Sequence, residues 1–472
     1  MKNLFTRLVG MMIILFAFHN TLAQLPLNWE KSIFFPGTSS EIFSVTTTYD
    51  DGYVATGITY NSNDLFVIKL DKNGVEKWRY IKKLSNFNFV KGYEVIQTST
   101  LGIIVVGSYK TSTTEYKGFM IKLSANGNEM FTKFLYGVGS SEIYSIAETQ
   151  DGNLVFSGWT RKVDGTDGTW RRKTDMAGNN IWDHFNIFRQ YGISILPITT
   201  MLNVNQYLLW DVADSKIASL YISESGSIYS NTDQQVLNVV PGGSLGKSIN
   251  GFSQIGTTNL SHPTNAQDVF VRKYTGNTSG GYTLNFNKTY GGSAEEKAYI
   301  GGRQIVQTPD GGYAFVTSTK SNDADVSGNH GGFDMWVVKI NSNGTLLWQK
   351  CLGTTGNDYG LSIDNTKDGG LIVGGSKNGN AWLVKLGGTL GTNESSKNKV
   401  TIYPNPVKDL LNISSENKIE SVNVFNLAGQ KSLSNPQLIN GQLNVSQLTS
   451  GTYLLDITYQ NGETETVKII KK

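Results

Sequence analysis

The sequence predicts an all-β fold, a seven-bladed β-propeller followed by a small antiparallel β-sandwich. Glycine is abundant, with 52 residues, and aromatic residues make up 11% of the chain, so that glycine-rich turns separate short aromatic and β-branched runs. A unit of roughly 40–50 residues with about four strands recurs along the chain, and this is the period of a propeller blade.

The clearest repeated element is a strand that ends in a lysine and an apolar residue. Its copies are Val67–Leu70, Met120–Leu123, Val337–Ile340 and Leu383–Leu386, with weaker copies at Arg171–Asp175, Ser219–Ser223 and Val271–Tyr274. A glycine-rich strand precedes each copy, and four of these strands follow an acidic turn at Asp50–Gly52, Asp151–Gly152, Asp310–Gly312 and Asp368–Gly370. Asp suits such turns because it caps its own backbone, and Gly because it accepts a positive φ. Seven copies predict seven blades; copies four and five, roughly Asp183–Phe286, are degenerate, so six or eight remain alternatives.

The two ends of the repeat array predict how it closes. After Leu383–Leu386 the chain runs into glycines and no aromatic strand follows, whereas Trp29–Phe35 has no strands before it. We therefore expect Trp29–Phe35 to pair with Ala381–Leu386 and close the ring, which removes the exposed edge of an open array.

A third landmark is a glycine followed four residues later by a large apolar residue. The pairs are Gly74/Trp78, Gly127/Phe131, Gly178/Trp182 and Gly344/Trp348. Because Trp29, Trp78, Trp182 and Trp348 occupy equivalent repeat positions, they predict packing in the core or between blades. Asp71, Gly74 and Trp78 resemble the docking motif of quinoprotein propellers, which implies that they lock neighbouring blades together. No residue here matches the cofactor pocket or calcium ligands of those enzymes.

The N-terminal residues 1–23 predict a secretory signal peptide. A positively charged start precedes the apolar run Leu8–Phe18, and small residues mark a cleavage site between Ala23 and Gln24. The apolar run is too short for a permanent anchor. Since Gln24 is not a cysteine, a lipoprotein-type anchor is not expected, and no other segment predicts a transmembrane helix.

The C-terminal part changes character after a polar linker, residues 388–399, which separates the propeller (24–387) from a domain at 400–472. This domain resembles the type A C-terminal sorting domain of the type IX secretion system of Bacteroidetes. The matching residues are the YPNP start (Tyr403, Pro404, Asn405, Pro406), the NVFNLAGQ segment, the SGTYLL strand with Gly451 and Tyr453, and the basic end with Lys468. The resemblance implies recognition by the type IX machinery, removal of the domain near the linker, and surface anchoring or release.

The repeat phrases DGGYAFVTS, GGFDMWVVKINSNGTLLWQKCLG and DGGLIVGGS resemble a family of secreted Bacteroidetes repeat proteins over Trp29–Leu386. This resemblance implies a propeller architecture and no particular activity.

Charge, cysteine count and the motifs of the sequence exclude several classes of function. A formal net charge of +3 gives no electrostatic footprint for nucleic acid. The single cysteine, Cys351, makes no intramolecular disulfide or cysteine-based metal site. No nucleophile elbow, phosphate loop or zinc signature occurs, so no catalytic residues are assigned. The adjacent Glu295 and Glu296 are interpreted as a solvated turn.

Two groups of residues are candidates for ligand binding. The tryptophans outside the repeat pattern, Trp159, Trp170 and Trp210, are candidates for exposed residues that stack on sugars, although the ligand-binding residues are not assigned. The segment Asn322–Asn329 places oxygen ligands at alternate positions, with Asp323, Asp325 and Asn329 as candidates for calcium. Because the Glu of an EF-hand is missing at the twelfth position, a solvated loop without a cofactor is the favoured interpretation.

Three functions fit this sequence. The first is a non-catalytic exported module that binds a glycan or a surface protein through loops on one propeller face. The second is a carbohydrate-active hydrolase with its site at the propeller axis, and the third is a structural or adhesive surface component. Converging carboxylates would favour the hydrolase and an aromatic platform would favour sugar binding.

Overall fold

The computed structural model describes residues 24–83, 89–111, 115–135, 139–162, 164–186, 191–199, 205–213, 216–235, 239–248, 250–258, 267–276, 282–388, 400–415, 418–426, 431–433, 437–460 and 464–472. The regular structure of these residues consists of β-strands. The chain divides into two compact units, Met1–Leu390 and Gly391–Lys472. The predicted signal peptide, with its cleavage site at Ala23, lies outside the described residues.

The first unit begins with β1 (Leu27–Ile33) and continues with four antiparallel sheets of four strands each, every one formed by consecutive strands. Sheet 1 contains β2 (Ser40–Thr47), β3 (Tyr53–Thr59), β4 (Asp64–Leu70) and β5 (Glu76–Lys82). Sheet 2 contains β6 (Val90–Gln97), β7 (Ile103–Lys110), β8 (Tyr116–Leu123) and β9 (Glu129–Leu135). Sheet 3 contains β10 (Gly139–Glu148), β11 (Leu154–Lys162), β12 (Asp167–Thr174) and β13 (Asn180–Asn186). Sheet 4 contains β14 (Tyr191–Thr199), β15 (Asn205–Ala213), β16 (Lys216–Ser223) and β17 (Ile228–Gln235).

Three further sheets complete this unit. Sheet 5 contains β18 (Val239–Ser248), β19 (Gly251–Thr258), β20 (Asp268–Gly276) and β21 (Tyr282–Tyr290). Sheet 6 contains the short β22 (Glu296–Lys297) and β23 (Ile305–Gln307), both paired with β24 (Tyr313–Thr319), then β25 (Asp334–Ile340) and β26 (Leu346–Leu352). Sheet 7 contains β27 (Tyr359–Asn365), β28 (Leu371–Lys377), β29 (Asn380–Leu386) and β1. The repeat copies that are degenerate in sequence, four and five, therefore still form complete sheets.

The predicted pairing of the N-terminal strand with the last repeat is confirmed. β1 runs antiparallel to β29, with Trp29 opposite Lys385 and Ile33 opposite Ala381. The side chains of Ile33 and Phe35 are buried in a core cluster shared by sheets 7 and 1. The N-terminal strand thus completes the sheet formed by the C-terminal repeat.

The first strand of each sheet is called the inner strand below; the inner strands are β2, β6, β10, β14, β18, β22 with β23, and β27. Each inner strand contacts the inner strand of the next sheet, and β27 contacts β2. Six of these contacts contain a hydrogen bond from a backbone N–H to a side-chain oxygen of the preceding inner strand. The pairs are Val95 to Ser44, Ile146 to Glu94, Ile195 to Ser145, Leu245 to Ser194, Gln304 to Ser244, and Val45 to Ser362. At the seventh contact the N–H of Ile363 donates to the carbonyl oxygen of Arg303. The seven sheets therefore form a closed, β-propeller-like ring.

Seven apolar clusters of buried residues lie between neighbouring sheets, one at each interface around the ring. Residues of both alternating faces are consequently buried in the central strands; every residue of β4 and β25 is buried, for example. The core of this unit is thus divided among the sheet interfaces.

The repeated lysines and acidic turns meet within each sheet that has both. The ammonium of Lys69 lies 2.9 Å from Asp50, that of Lys339 lies 2.8 Å from Asp310, and that of Lys385 lies 3.1 Å from Asp368. Sheet 3 has the equivalent pair of Lys173 and Asp151. The lysine side chains are buried whereas the carboxylates are more exposed, so each carboxylate anchors the buried charge at the edge of its sheet.

The repeated tryptophans pack between sheets, as predicted. A Cβ atom at Gly74 would lie 3.1 Å from the Trp29 indole of the preceding sheet, and one at Gly127 would lie 2.6 Å from the Trp78 indole. Trp78 also donates its indole N–H to the Ala125 carbonyl oxygen, at 3.0 Å. These glycines therefore leave room for the tryptophan that docks from the neighbouring sheet.

The second unit contains two antiparallel sheets that share one apolar core. One sheet contains β30 (Thr401–Tyr403), β31 (Leu410–Ser414), β33 (Leu438–Ile439) and β34 (Gln442–Asn444), and the other contains β32 (Ile419–Asn426), β35 (Gly451–Tyr459) and β36 (Thr464–Lys471). Tyr453, Leu455, Ile457 and Tyr459 alternate along one buried face of β35, as their period of two predicts. Both X–Pro bonds of the YPNP segment, Tyr403–Pro404 and Asn405–Pro406, are cis.

Two adjacent aspartates allow a test of the lysine anchors. Asp50 contacts buried Lys69, whereas Asp51 pairs with exposed Lys367. Burial raises the pKa of Asp50, but hydrogen bonds from Thr48 and Lys69 outweigh it and leave the pKa below 3.8. We expect Asp50→Asn to destabilise the protein by about 1–2 kcal/mol near neutral pH, because buried Lys69 loses its counter-charge.

The control is Asp51→Asn, which keeps the positive φ of this position and removes a surface ion pair worth about 0–1 kcal/mol. Because the folded-state pKa of Asp50 is lowered, its stabilising contribution is present above the unfolded pKa of 3.8 and is lost as pH falls through the folded value. Thermal melts from pH 7 to pH 3 should show that the difference in melting temperature between the wild type and Asp50→Asn becomes smaller as the pH falls. Equal melting of the two variants at pH 7 would refute the anchor.

Ring closure by β1 can be tested by deletion and by a matched pair of substitutions. Removing Gln24–Phe35 should lower the melting temperature strongly, because it exposes the edge of β29 and the core beneath it. Ile33→Ala should cost about 2–5 kcal/mol because Ile33 is 1% exposed, whereas Phe34→Ala should change little because Phe34 is 66% exposed. Circular dichroism melts that do not change on the deletion would contradict the closure.

Candidate functional site

The segment between β22 and β23, residues 298–304, crosses the interior of the ring and is called the central loop below. The N–H of Gly302 donates to the carbonyl oxygen of Tyr93 in sheet 2, at 3.0 Å. Ile300 packs on Tyr93 and Tyr144 of sheets 2 and 3, which are not neighbours of sheet 6. Gly301 and Gly302 have φ values of +96° and +65°, and a Cβ at Gly302 would lie 2.1 Å from the Phe43 carbonyl oxygen. Only glycine fits this crossing.

Beside the central loop lies a cavity of about 250 Å³, called the aromatic cavity below. It is lined by Phe89, Tyr93, Tyr116, Glu142, Tyr144 and Trp159. Five of the six lining residues are aromatic, and all six belong to sheets 2 and 3 or to the segment leading into β6. The cavity therefore opens between two adjacent sheets close to the centre of the ring.

The carboxylate of Glu142 is the acidic group of the aromatic cavity. It accepts hydrogen bonds from the hydroxyls of Tyr144 at 2.7 Å, Ser108 at 2.8 Å and Tyr93 at 3.3 Å. Burial and the charge of Glu142 raise the pKa of the Tyr93 hydroxyl well above its usual range, so this hydroxyl stays a donor. Three protein hydroxyls thus hold the carboxylate in place.

The aromatic rings form a continuous wall. Tyr93 and Tyr144 meet edge to face, with ring centroids 5.1 Å apart, and both pack against Trp159. Trp159 is 9% exposed, and its indole N–H finds no hydrogen-bond acceptor among the described residues. A buried indole N–H without an acceptor is energetically costly.

A half-buried ammonium stands next to this wall. The Nζ atom of Lys91 lies 3.5 Å from the ring centroid of Phe43 and 4.6 Å from that of Tyr93. Burial lowers the pKa of Lys91 to about 8, against the opposing effect of Glu41 and Glu142. Lys91 is therefore mostly charged at neutral pH and rests on aromatic faces.

Glu41 occupies the position in β2 that Lys91 occupies in β6 and Glu142 in β10. Its carboxylate accepts hydrogen bonds from the hydroxyls of Tyr60 and Ser376. Burial, together with the Glu41 charge, raises the pKa of Tyr60 well above its usual range. Lys91 thus lies between two carboxylates that protein hydroxyls already contact.

The structure places only one of the three candidate tryptophans at the aromatic cavity. Trp159 lines the aromatic cavity, whereas Trp170 is 1% exposed and Trp210 is 0% exposed. Trp170 packs edge to face on Phe156 and donates its indole N–H to Asp183. All three candidates for exposed stacking are buried, Trp159 included at 9% exposure, because the ring covers both faces of its sheets.

The candidate calcium loop is built around its own backbone. Asp323 accepts the N–H of Ser293 at 2.7 Å, Asp325 accepts the N–H of Gly291 at 3.3 Å, and Asn329 donates its side-chain amide to the Thr319 carbonyl oxygen at 2.9 Å. Within the described ranges, no three His, Cys, Asp or Glu side chains converge on a common point. These three side chains therefore tie the loop to the chain around it.

The interpretation of Glu295 and Glu296 as a solvated turn is wrong for Glu296. Its side chain is 0% exposed and accepts hydrogen bonds from the Thr319 hydroxyl at 2.6 Å and the Gly292 N–H at 2.9 Å. Burial raises its pKa, which these hydrogen bonds partly offset. Glu295 pairs with Lys320 at the surface, as a solvated residue does.

Sequence reasoning missed Glu142, Tyr93, Tyr144 and Lys91. A signal was present, because three inner strands share the order charged, small or apolar, aromatic, then Ser or Glu. The copies are Glu41-Ile42-Phe43-Ser44, Lys91-Gly92-Tyr93-Glu94 and Glu142-Ile143-Tyr144-Ser145. A β-bulge precedes the last residue of each copy. The charged and aromatic residues of this phrase are those that surround the aromatic cavity and Lys91.

Comparison with known proteins identifies the C-terminal unit. Residues 401–472 match the model of the secretion system C-terminal sorting domain. The chain is also 40% identical to beta-agarase D of Zobellia galactanivorans over 72 residues, which is 15% of either protein. The match thus spans a small part of that enzyme.

Solved structures similar to the chain include the WD40 domain of Neurospora crassa Pan2, at 9% identity and a TM-score of 0.48, covering 77% of this chain and 95% of that one. The NanB sialidase of Streptococcus pneumoniae is similar at 10% identity and a TM-score of 0.41, covering 77% and 71%. Drosophila Plexin A, in complex with Semaphorin 1b, has 9% identity and a TM-score of 0.42, covering 77% and 87%.

The sorting domain determines where the protein goes. The chain carries a type IX sorting domain at its C-terminus and is therefore exported to the cell surface or secreted, which implies interaction with the type IX machinery. Among the described residues, no helix has the length and apolar character that a membrane span requires.

Deleting Val400–Lys472 should leave the protein in the periplasm, because the sorting domain is the part that the outer-membrane machinery recognises. Fractionation and immunoblotting of cells that express the full chain or the truncation would measure this. The control is a reporter protein with residues 1–23 alone or with both residues 1–23 and the sorting domain. Normal export of the truncation would refute the assignment.

Proposed function

We propose that residues 24–387 form a seven-bladed β-propeller that binds a glycan in the aromatic cavity without cleaving it. Residues 388–399 serve as a linker, and residues 400–472 form a small β-sandwich that is removed during export. The predicted signal peptide, cleaved between Ala23 and Gln24, directs the first step of export. The exported protein is then a surface or secreted carbohydrate-binding module.

The composition of the aromatic cavity carries this proposal. Sugar rings present apolar C–H faces that stack on aromatic side chains, and hydroxyls that donate to carboxylates. The cavity supplies the rings of Trp159, Phe89 and three tyrosines, and a carboxylate at Glu142. The combination suits a ligand that is apolar on its faces and polar at its edge.

The size of the cavity limits what enters it. Its volume of about 250 Å³ lies below the roughly 300–1,000 Å³ of typical small-molecule sites. One sugar ring or a chain end fits better than a long oligosaccharide. The proposed ligand is therefore a terminal sugar of a polysaccharide or surface glycan.

A carbohydrate-active hydrolase is the second candidate, because Glu41 and Glu142 both lie near the centre of the ring. Each carboxylate already accepts hydrogen bonds from two or more protein hydroxyls, which favours a holding role over proton transfer. The agarase substrate is not transferred to this chain, since the similarity spans 15% of that enzyme.

Trp159→Ala tests the proposed site. The exported protein is passed over agarose, laminarin, xylan and polygalacturonate, and retention and reducing-end release are measured together. We expect retention without release, and about tenfold weaker retention for Trp159→Ala because the stacking wall is broken.

The control is Tyr49→Ala, which removes a 57% exposed aromatic residue in the turn after β2, outside the cavity lining, and should bind like the wild type. Thermal melting verifies that both variants fold. Release of reducing ends would establish the hydrolase instead. Retention that survives Trp159→Ala would move the site elsewhere, and no retention on the whole panel would favour an adhesive or protein-binding role.

A further inference from the structure

We propose that the ligand of the aromatic cavity is an acidic glycan whose carboxylate or sulfate group binds the ammonium of Lys91. This inference rests on the proposed glycan-binding function and adds the charge class of the ligand. It follows from which polar groups near the cavity are already engaged within the protein and which are not.

The acidic groups are engaged. Glu142 accepts hydrogen bonds from three hydroxyls, of Tyr93, Ser108 and Tyr144. Glu41 accepts hydrogen bonds from the hydroxyls of Tyr60 and Ser376. The acceptor sites that remain on these carboxylates can receive sugar hydroxyls, whereas neither carboxylate can bind an acidic group of the ligand.

The ammonium of Lys91 is not engaged in this way. Within the described part of the chain its Nζ atom makes no hydrogen bond or ion pair, and its contacts are the faces of Phe43 and Tyr93. An ammonium has three N–H donors, and an aromatic face replaces none of the oxygen acceptors that water supplies. A ligand oxyanion would restore these hydrogen bonds, and charge-assisted bonds of this kind are roughly twice as strong as neutral ones.

The surroundings restrict where an anion can bind. Lys91 stands between Glu41 and Glu142, so a negative group is attracted only at close contact with the ammonium and is repelled on either side. A second ammonium, of Lys110, lies 5.3 Å from the ring centroid of Tyr116 at the cavity wall. Neither lysine is a lining residue, but each ammonium lies over a tyrosine ring that lines the cavity.

The position of Lys91 allows the sugar ring and its acidic group to be bound at adjacent places. Its Nζ atom contacts one face of Tyr93, and the Tyr93 ring also lines the cavity. Lys91 is not itself a lining residue, so the acidic substituent of a sugar seated in the cavity would reach the ammonium by extending past the Tyr93 ring. The acidic group and the sugar ring of one residue can thus be recognised together.

Titration calorimetry with the full-length exported protein tests this proposal. The probes are oligogalacturonate, which carries carboxylates, a carrageenan oligosaccharide, which carries sulfates, and laminarin oligosaccharide, which is neutral. We expect at least one acidic probe to bind about tenfold or more tightly than the neutral one, and the pair of acidic probes shows which anion is preferred. Lys91→Gln should abolish this preference.

The matched control is Lys72→Gln, which removes an exposed lysine in a turn of sheet 1 and should leave the preference unchanged. Trp159→Ala separates the two proposals. Binding that depends on Trp159 but is equal for acidic and neutral probes, and unchanged in Lys91→Gln, would overturn the acidic ligand and leave the glycan site standing. No binding of any probe by folded wild-type protein would overturn both.

Discussion

The hydrogen bond between successive inner strands is the interaction on which the ring depends. A sheet of four strands has an inner edge of unpaired backbone groups, and these cannot all be paired by the next sheet because the sheets face one another. A serine at the β-bulge solves this at five of the seven interfaces, by accepting one backbone N–H of the following strand. Glu94 and the Arg303 carbonyl oxygen replace serine at the other two.

The same bulge connects architecture to binding. The aromatic residue is the extra residue of the bulge, so its side chain joins the clusters at the centre of the ring, while the oxygen of the serine or glutamate that follows bonds to the next sheet. Phe43, Tyr93 and Tyr144 are placed in this way. A feature that closes the ring therefore also assembles an aromatic wall near its centre.

Sheet 6 departs from the pattern and completes the site. Its inner strand is interrupted by the central loop, which crosses to sheet 2 and packs Ile300 against Tyr93, Tyr144 and Trp159. The charge of Arg303 partly offsets the effect of burial on Glu94, whose pKa is raised. The interrupted strand thus fills the centre of the ring and supports one side of the aromatic cavity.

The sequence by itself determined the repeat, the closing strand and the sorting domain, because these depend on local turn chemistry, strand period and a contiguous motif. It also located Trp29, Trp78 and Trp182 at sheet interfaces, since equivalent positions in a repeat have equivalent surroundings. Only the tertiary structure decided which residues surround the aromatic cavity. Trp159 and Trp170 look alike in the sequence; the stacking of the sheets buries both, but it places only Trp159 at the wall of the aromatic cavity. Glu142, Lys91 and Ile300 come together because ring closure joins sheets 2, 3 and 6, which no local pattern encodes.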